Sequence, residues 1–158
     1  LVSKGMRNKP RVVIDTNIFV KSWFDGDEVC NEILSLVDNN KIKLLFSQET
    51  IGELFYIVKK FSVKNMSSKR PRLRLLFLLS EVFYEADSVN TIDTECPKLN
   101  DKYDEMFLKC ALEGNADYLI TDDFKSGLHS VEGFRVKIVS SEDFMKIYKK
   151  IKCSVKDL

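Results

Sequence analysis

The residues best equipped for chemistry in this chain are acids standing in apolar company. Asp15 interrupts the run Val12-Val13-Ile14-Asp15-Thr16-Asn17-Ile18-Phe19-Val20. Asp122 and Asp123 directly follow Ala116-Asp117-Tyr118-Leu119-Ile120-Thr121. Asp104 opens a segment in which Phe107, Leu108 and Ala111 share one helical face, and Glu53 lies among Ile51, Leu54 and Phe55. Carboxylates gathered in one crevice cannot all stay ionised alone: their pKa values rise or a cation binds between them. The single histidine, His129, and the scattered cysteines Cys30, Cys96, Cys110 and Cys153, with no C-x-x-C pair, offer no zinc spacing. An oxygen-only donor set favours a hard cation such as Mg²⁺, or Mn²⁺ in its place. Such a centre orients a phosphodiester, neutralises its developing charge and activates a water, so the acids point to metal-dependent phosphoryl transfer to water.

Each acid also has a plainer reading. Asp15 suits a turn or helix cap after a strand. Glu53 suits an exposed helix face, and Asp104 a first helical turn, where the macrodipole favours negative charge. His129 reads as an ordinary loop residue.

The elements that would carry these acids alternate. Short β-rich runs cover Arg11–Ile14, Lys43–Phe46, Ala116–Ile120 and Arg135–Val139, with a fainter one at Ser88–Ile92. Helical periodicity marks Glu28–Val37, Gln48–Phe61, Leu73–Phe83, Asp104–Leu112 and Ser141–Ile151, and Ile18, Phe19 and Val20 begin a further helix. Gly114-Asn115 reads as a helix stop, and Ser140 or Ser141 as the cap of the last helix. Strand–helix alternation with near-continuous apolar strands predicts an α/β layer fold with a mainly parallel sheet and helices on both faces. Asp15 and the Asp122-Asp123 pair then fall at carboxyl ends of strands, where open α/β sheets bind ligands.

A chain of 158 residues suits one domain with a buried core. Its net charge of +1 rules out recognition of nucleic acid by a global field, leaving only a local patch. We expect a leader over residues 1–10, of which Leu1 to Gly5 ahead of Met6 is foreign to the domain, one domain over 11–151 and a tail over 152–158. With no signal-peptide pattern and no apolar run long enough to cross a bilayer, the expectation is a cytoplasmic protein with reduced thiols and no membrane association.

Four stretches in order, "VVIDTNIFV", "SQETIGEL", "DKYDEMFLKCALEGNADYLITDD" and "KIVSSEDFM", resemble PIN-domain nucleases, and more narrowly the bacterial and archaeal VapC-like toxins of toxin–antitoxin pairs. The resemblance runs from Arg11 to Tyr148. It implies a Rossmann-like three-layer α/β/α sandwich with sheet order 3-2-1-4-5. It also implies divalent-metal-dependent endoribonuclease activity on single-stranded RNA. Residue by residue, Asp15, Glu53, Asp104 and Asp123 match the family's catalytic acids, with Asp15, Asp104 and Asp123 as metal ligands. Asn17 matches a polar residue that steadies the site, and Thr121 stands where a hydroxyl can bond a ligating carboxylate or a phosphate. Two departures leave alternatives open. Asp101-Lys102-Tyr103-Asp104 lacks the proline common in relatives, so Asp101 is an auxiliary ligand or a helix cap. Asp122 follows Thr121 where Gly or a basic residue is common, so either Asp122 or Asp123 faces inward.

The densest positive stretch holds Lys59, Lys60, Lys64, Lys69, Arg70, Arg72 and Arg74. It reads as a solvated face with a helix start at Pro71 or, through Lys69, Arg70, Arg72 and Arg74, as a phosphate-contacting RNA surface. The apolar stretch Leu73–Phe83 reads mostly as core. Surplus apolar surface there or at Trp23-Phe24 would form a homodimer seam or a groove for a cognate antitoxin. The competing functions are a non-catalytic PIN-like RNA- or protein-binding module and, less suited, a receiver-type signalling domain. The latter needs an acceptor Asp after Lys43–Phe46, and the sequence places none there.

Overall fold

The computed structural model describes residues 9–156. The expected leader Leu1 to Gly5 lies outside the described residues. In chain order the elements are β1 (Arg11–Ile14), α1 (Thr16–Trp23), α2 (Glu28–Asp38), β2 (Lys43–Phe46), α3 (Gln48–Asn65), α4 (Lys69–Tyr84), β3 (Asp87–Ser88), α5 (Lys102–Glu113), β4 (Tyr118–Ile120), β5 (Lys137–Val139) and α6 (Ser141–Lys156), with a 3₁₀ turn at Leu128–Ser130 between β4 and β5.

All strand pairs are parallel and the sheet order is β3-β2-β1-β4-β5, as the resemblance implied. Val12 lies opposite Leu44 and Tyr118, and Ile14 opposite Ile120, so β1 is the central strand. Alternation along β1 splits the core between the two faces of the sheet. Val12 and Ile14 join Ile33, Leu54, Leu79 and Phe144 from α2, α3, α4 and α6. Val13 joins Leu45 and Leu119 with Phe107, Leu108 and Ala111 of α5. Parallel strands buried on both faces need continuous apolar residues, which is why β1 reads Val-Val-Ile without a polar interruption.

Several boundaries move from the sequence reading. β3 is only Asp87–Ser88, because the chain leaves the sheet edge after Val89 N–H donates to Phe46 O at 2.8 Å. α4 begins at Lys69 rather than at Pro71, placing the proline within the first turn, where its missing N–H costs nothing. α6 runs on to Lys156, although Ile151 to Lys156 are all exposed. α4 is also less of a core helix than its composition suggests: Leu75, Leu79 and Val82 are buried, while Leu73, Leu76, Phe77 and Tyr84 are exposed.

The stop at Gly114-Asn115 divides its labour. Asn115 adopts the left-handed backbone, φ 50°, whereas Gly114 has an ordinary φ of −79°. Gly114 is required for space. A Cβ there would lie 2.9 Å from Cys110 O, Leu45 Cδ1 and Val89 Cγ2, and α5 could not then pack this close to β2. Cys30 and Cys110 are buried thiols, and none of the cysteines is paired. Among the described residues no helix is long and apolar enough to cross a membrane.

Candidate active site

β1 ends by turning straight into α1. Asp15 N–H donates to Ile120 O at 3.0 Å, extending the β1–β4 ladder, and Asp15 O accepts from Ile18 N–H at 3.1 Å, opening the helix. Asp15 is therefore both the end of a strand and the N-cap of α1, yet its carboxylate makes no capping hydrogen bond. It turns instead toward β4, where Thr121 Oγ1 donates to Asp15 Oδ2 at 2.6 Å. Asp15 is 6 % exposed, and burial raises its pKa from 3.8 to about 6. The Thr121 hydroxyl and the Thr16 and Asn17 amides pull it back down, while Asp123 pushes it further up.

Asp104 reaches the same crevice from the first turn of α5. It is 7 % exposed, and its Oδ2 is buried with no hydrogen-bond partner. Its pKa rises to about 7, through burial first and then through the charges of Asp15, Asp101 and Asp123, with partial relief from the Ser126 hydroxyl. Asp123 stands half-exposed at the rim. Its N–H donates to Thr121 Oγ1 at 3.1 Å and its Oδ1 accepts from Lys125 N–H at 2.9 Å. Thr121, fully buried, thus holds Asp15 and the start of the Asp123 loop with one hydroxyl. That hydroxyl bonds the carboxylate of Asp15, one of the two partners the sequence left open for it.

Asp122 and Asp101 take structural roles. Asp122 faces α1 and α6: Lys21 Nζ lies 2.9 Å from Oδ2, and Ser141 donates its N–H to Oδ1 and its Oγ to Oδ2, both at 2.8 Å. Although burial works against the charge, these donors together hold its pKa below the usual carboxylate value. Asp101 caps α5 by accepting from Tyr103 N–H at 2.9 Å, and its charge still reaches Asp104. Ser140, not Ser141, caps α6: its Oγ accepts from Asp143 N–H at 3.1 Å. Glu53 lies half-buried on α3 and forms no hydrogen bond or ion pair among the described residues.

In the basic segment, Lys69, Arg70 and Arg74 are exposed. Arg72 is spent locally, its Nε and Nη2 donating to Met66 O at 3.1 and 2.7 Å, which closes the α3–α4 turn. Trp23 and Phe24 are partly buried, Trp23 packing on Phe19 at 5.3 Å and Phe24 on Phe61 at 5.4 Å between ring centroids.

Among the described residues, no three acids, histidines or cysteines converge into a finished metal cage. What stands there is a half-built one. Asp15 and Asp104 face each other's charge with no cation beside them, and Asp104 Oδ2, Asn17 Oδ1 and Thr16 Oγ1 are buried oxygens without partners. Buried polar atoms are nearly always satisfied, so an orphaned carboxylate oxygen on Asp104, with the charge of a second buried carboxylate acting on it, fits an oxygen-ligated divalent cation, with water completing its shell.

A family model described as PIN domain matches residues 11–125, from the start of β1 through the Asp122-Asp123 loop. The chain belongs to the PIN-domain family. PIN domains are generally nucleases acting on phosphodiesters. No curated protein matches this PIN domain in sequence. Among solved structures it is similar to a chain from the crystal structure of VapBC2 from Rickettsia felis bound to a DNA fragment from their promoter. The two share 15% identity, a TM-score of 0.55, and coverage of 81% of this chain and 98% of that one. At that identity the likeness speaks for the fold, and it agrees with the sheet order of this PIN domain.

Sequence reasoning missed three participants: Lys21, Ser126 and His129. The i, i+4 step from Asn17 to Lys21 was available in the sequence, but only the approach of β4 to α1 shows that Lys21 meets Asp122. Ser126 and His129 sit in a loop whose path no periodicity foretells. His129, read as an ordinary loop residue, anchors that loop: its Nε2 donates to Thr121 O at 3.0 Å.

Proposed function

We propose that this PIN domain is a divalent-metal-dependent endoribonuclease that cuts single-stranded RNA in the cytoplasm, acting as the toxin of a toxin–antitoxin pair. The observation that carries the reading is the Asp15–Asp104 pair: two buried carboxylates at the carboxyl end of the central strand, raised to about 6 and about 7, with no cation at hand. A structural ion pair would show the opposite, as Asp122 does.

Asp15, Asp104 and Asp123 would hold Mg²⁺ or Mn²⁺, which when bound supplies charge neutralisation at the scissile phosphate and an activated water. Thr121 keeps Asp15 oriented and favours its ionised form, as a partner behind a metal ligand does. Asn17 and Asp101 support the site from its edge, and Asp122 stays with Lys21 as a strut. Glu53, offered from α3, is the fourth acid of the proposed catalytic set. Lys69, Arg70 and Arg74 offer exposed charges to RNA phosphates, and Arg72 contributes after its tie to Met66.

The partner reading rests on the α3–α4 surface. A groove of about 410 Å³ is lined by Phe55, Tyr56, Val63, Leu75 and Leu76, with Phe77 exposed nearby. The similar structure from Rickettsia felis is of a VapBC2 complex. An antitoxin segment or a second copy of the chain would cover such a face.

The decisive experiment is cleavage of single-stranded RNA by the purified protein with Mg²⁺ or Mn²⁺, against chelator and against Asp15→Asn. Cleavage that needs the metal and vanishes in Asp15→Asn supports the reading; equal cleavage by Asp15→Asn sinks it. A second reading, a non-catalytic PIN module, is favoured by the lack of three converging ligands among the described residues. Calorimetric titration with Mn²⁺ separates the two, because the module would release no binding heat.

A further inference from the structure

One aromatic residue beside the acids has no packing role. Phe124 follows Asp123 directly and is 67 % exposed. Its ring is nevertheless not loose. It lies against the His129 imidazole with centroids 4.4 Å apart and planes 18° from parallel. His129 is fixed in turn, because it belongs to the 3₁₀ turn anchored by fully buried Leu128 and Nε2 donates to Thr121 O at 3.0 Å. Thr121 is the residue whose hydroxyl holds Asp15. The stacked pair is therefore tied to the same strand end as the acids, and one ring face of Phe124 is supported while the other opens to solvent. A hollow of about 300 Å³ adjoins it, lined by Phe124 together with Lys21, Asp27, Asp122, Ser141 and Glu142.

We infer that Phe124, backed by His129, is a stacking platform for one base of a single-stranded nucleic acid that enters the acidic crevice; this rests on the nuclease reading above and specifies its substrate. An exposed aromatic ring held rigid from behind suits an unstacked base, because every base has a π-face and the ring loses little freedom on contact. Phe124 follows Asp123 directly in the chain, so a strand that stacks a base on it runs past that acid. The bases of a duplex are stacked inside and cannot reach such a ring, so the platform selects single strands. It also answers the electrostatic problem of the site: stacking supplies attraction that bare carboxylates deny to a polyanion.

The test uses a short single-stranded RNA carrying one 2-aminopurine, whose fluorescence falls when the base stacks, with Asp15→Asn protein so that the RNA stays intact, in Mg²⁺. We expect quenching on binding. Phe124→Ala should abolish the quenching and weaken binding about tenfold, and Phe124→Trp should restore both. Because Phe124 is exposed, Phe124→Ala should melt like its parent, which removes misfolding as an explanation. Equal affinity and quenching in Phe124→Ala overturns the platform, as does an equal affinity for duplex RNA. Cleavage by protein with Asp15 intact keeps the two readings apart. If the RNA is cut and Phe124→Ala raises KM about tenfold with little change in kcat, both stand. If it is cut with KM unchanged, the platform falls and the nuclease reading stands. If the base stacks but no metal supports cleavage, the nuclease reading falls and the platform remains a binding site.

Discussion

Two carboxylate groups lie side by side at the carboxyl end of the sheet, and their environments diverge. On the α1–α6 side, Asp122 is surrounded by donors: the Lys21 ammonium and two groups of Ser141. On the α5 side, Asp15 takes the Thr121 hydroxyl and the Thr16 and Asn17 amides, Asp104 has some help from Ser126, and neither is paired with a Lys or Arg among the described residues. All three are largely buried, so desolvation raises each pKa; the partners decide which way the balance falls. Asp122 and Asp123 are neighbours in sequence, yet Asp122 is tied to Lys21 and Ser141 while Asp123 accepts from the Lys125 amide in its own loop. A buried acid is thus no signature of function by itself. A buried acid left without its counter-charge is one, because folding alone would have no reason to keep it.

The strongest way to break the comparison is to substitute one acid on each side. Asp15→Asn should lower metal-dependent RNA cleavage by more than about a hundredfold, beyond what loss of a partner behind a ligand costs. It should also leave the melting temperature unchanged or raised. Asp122→Asn should do the reverse, destabilising the fold by about 2 kcal/mol, with Lys21's partial exposure softening the loss, and sparing the chemistry. Thermal melts and rates on the same preparations would check both, and a matched pattern on the two sides would erase the distinction.

The next effect is in pH. Asp15 and Asp104 hold protons in the folded chain up to about 6 and about 7, whereas in the unfolded chain they ionise near 3.8. Between these values the folded state binds more protons, so stability falls as pH rises through that window, by about 3 kcal/mol for Asp15 alone. Asp122, with its lowered pKa, works oppositely: its contribution is present above 3.8 and is lost only as pH falls through its lower folded value. Melting temperature against pH should therefore drop between pH 4 and 7 without metal. Added Mn²⁺ should restore it at pH 8 and do little at pH 5. A flat profile would mean that the two acids are not uncompensated.

Thr121→Val sharpens the same point with a smaller effect. It removes the hydroxyl from Asp15, so the acid limb of the cleavage profile should move to higher pH, with about a tenfold loss of rate below the new midpoint. An unmoved profile would deny Thr121 its role. The smallest effect belongs to the basic face. Arg70→Ala and Arg74→Ala should each weaken RNA binding evenly across sequences and reduce the salt slope by about one, read from binding isotherms at several salt concentrations.

Much of this was legible beforehand because the period of a pattern is local. Val12 to Ile14 must form a buried strand, and an acid at its end must meet either solvent or a crevice. Asp104 must fall in the first turn of an amphipathic helix. Glu53 shows the limit: its place on α3 was readable, but not that its side chain would form no hydrogen bond or ion pair among the described residues. At Gly114-Asn115 the sequence marked a stop and could not say that Asn115 would carry the left-handed turn while Gly114 made room for Leu45 and Val89.

The sequence alone determined the elements, the parallel sheet and the strand ends at which acids appear, since hydrophobic period and punctuation are properties of neighbours along the chain. Only the tertiary structure decided that Lys21 neutralises Asp122, that Thr121 reaches across to Asp15, that Asp104 Oδ2 is left without a partner and that His129 props Phe124 beside them. Those contacts join residues distant in sequence, and the charge state of a buried acid is set by what surrounds it in space.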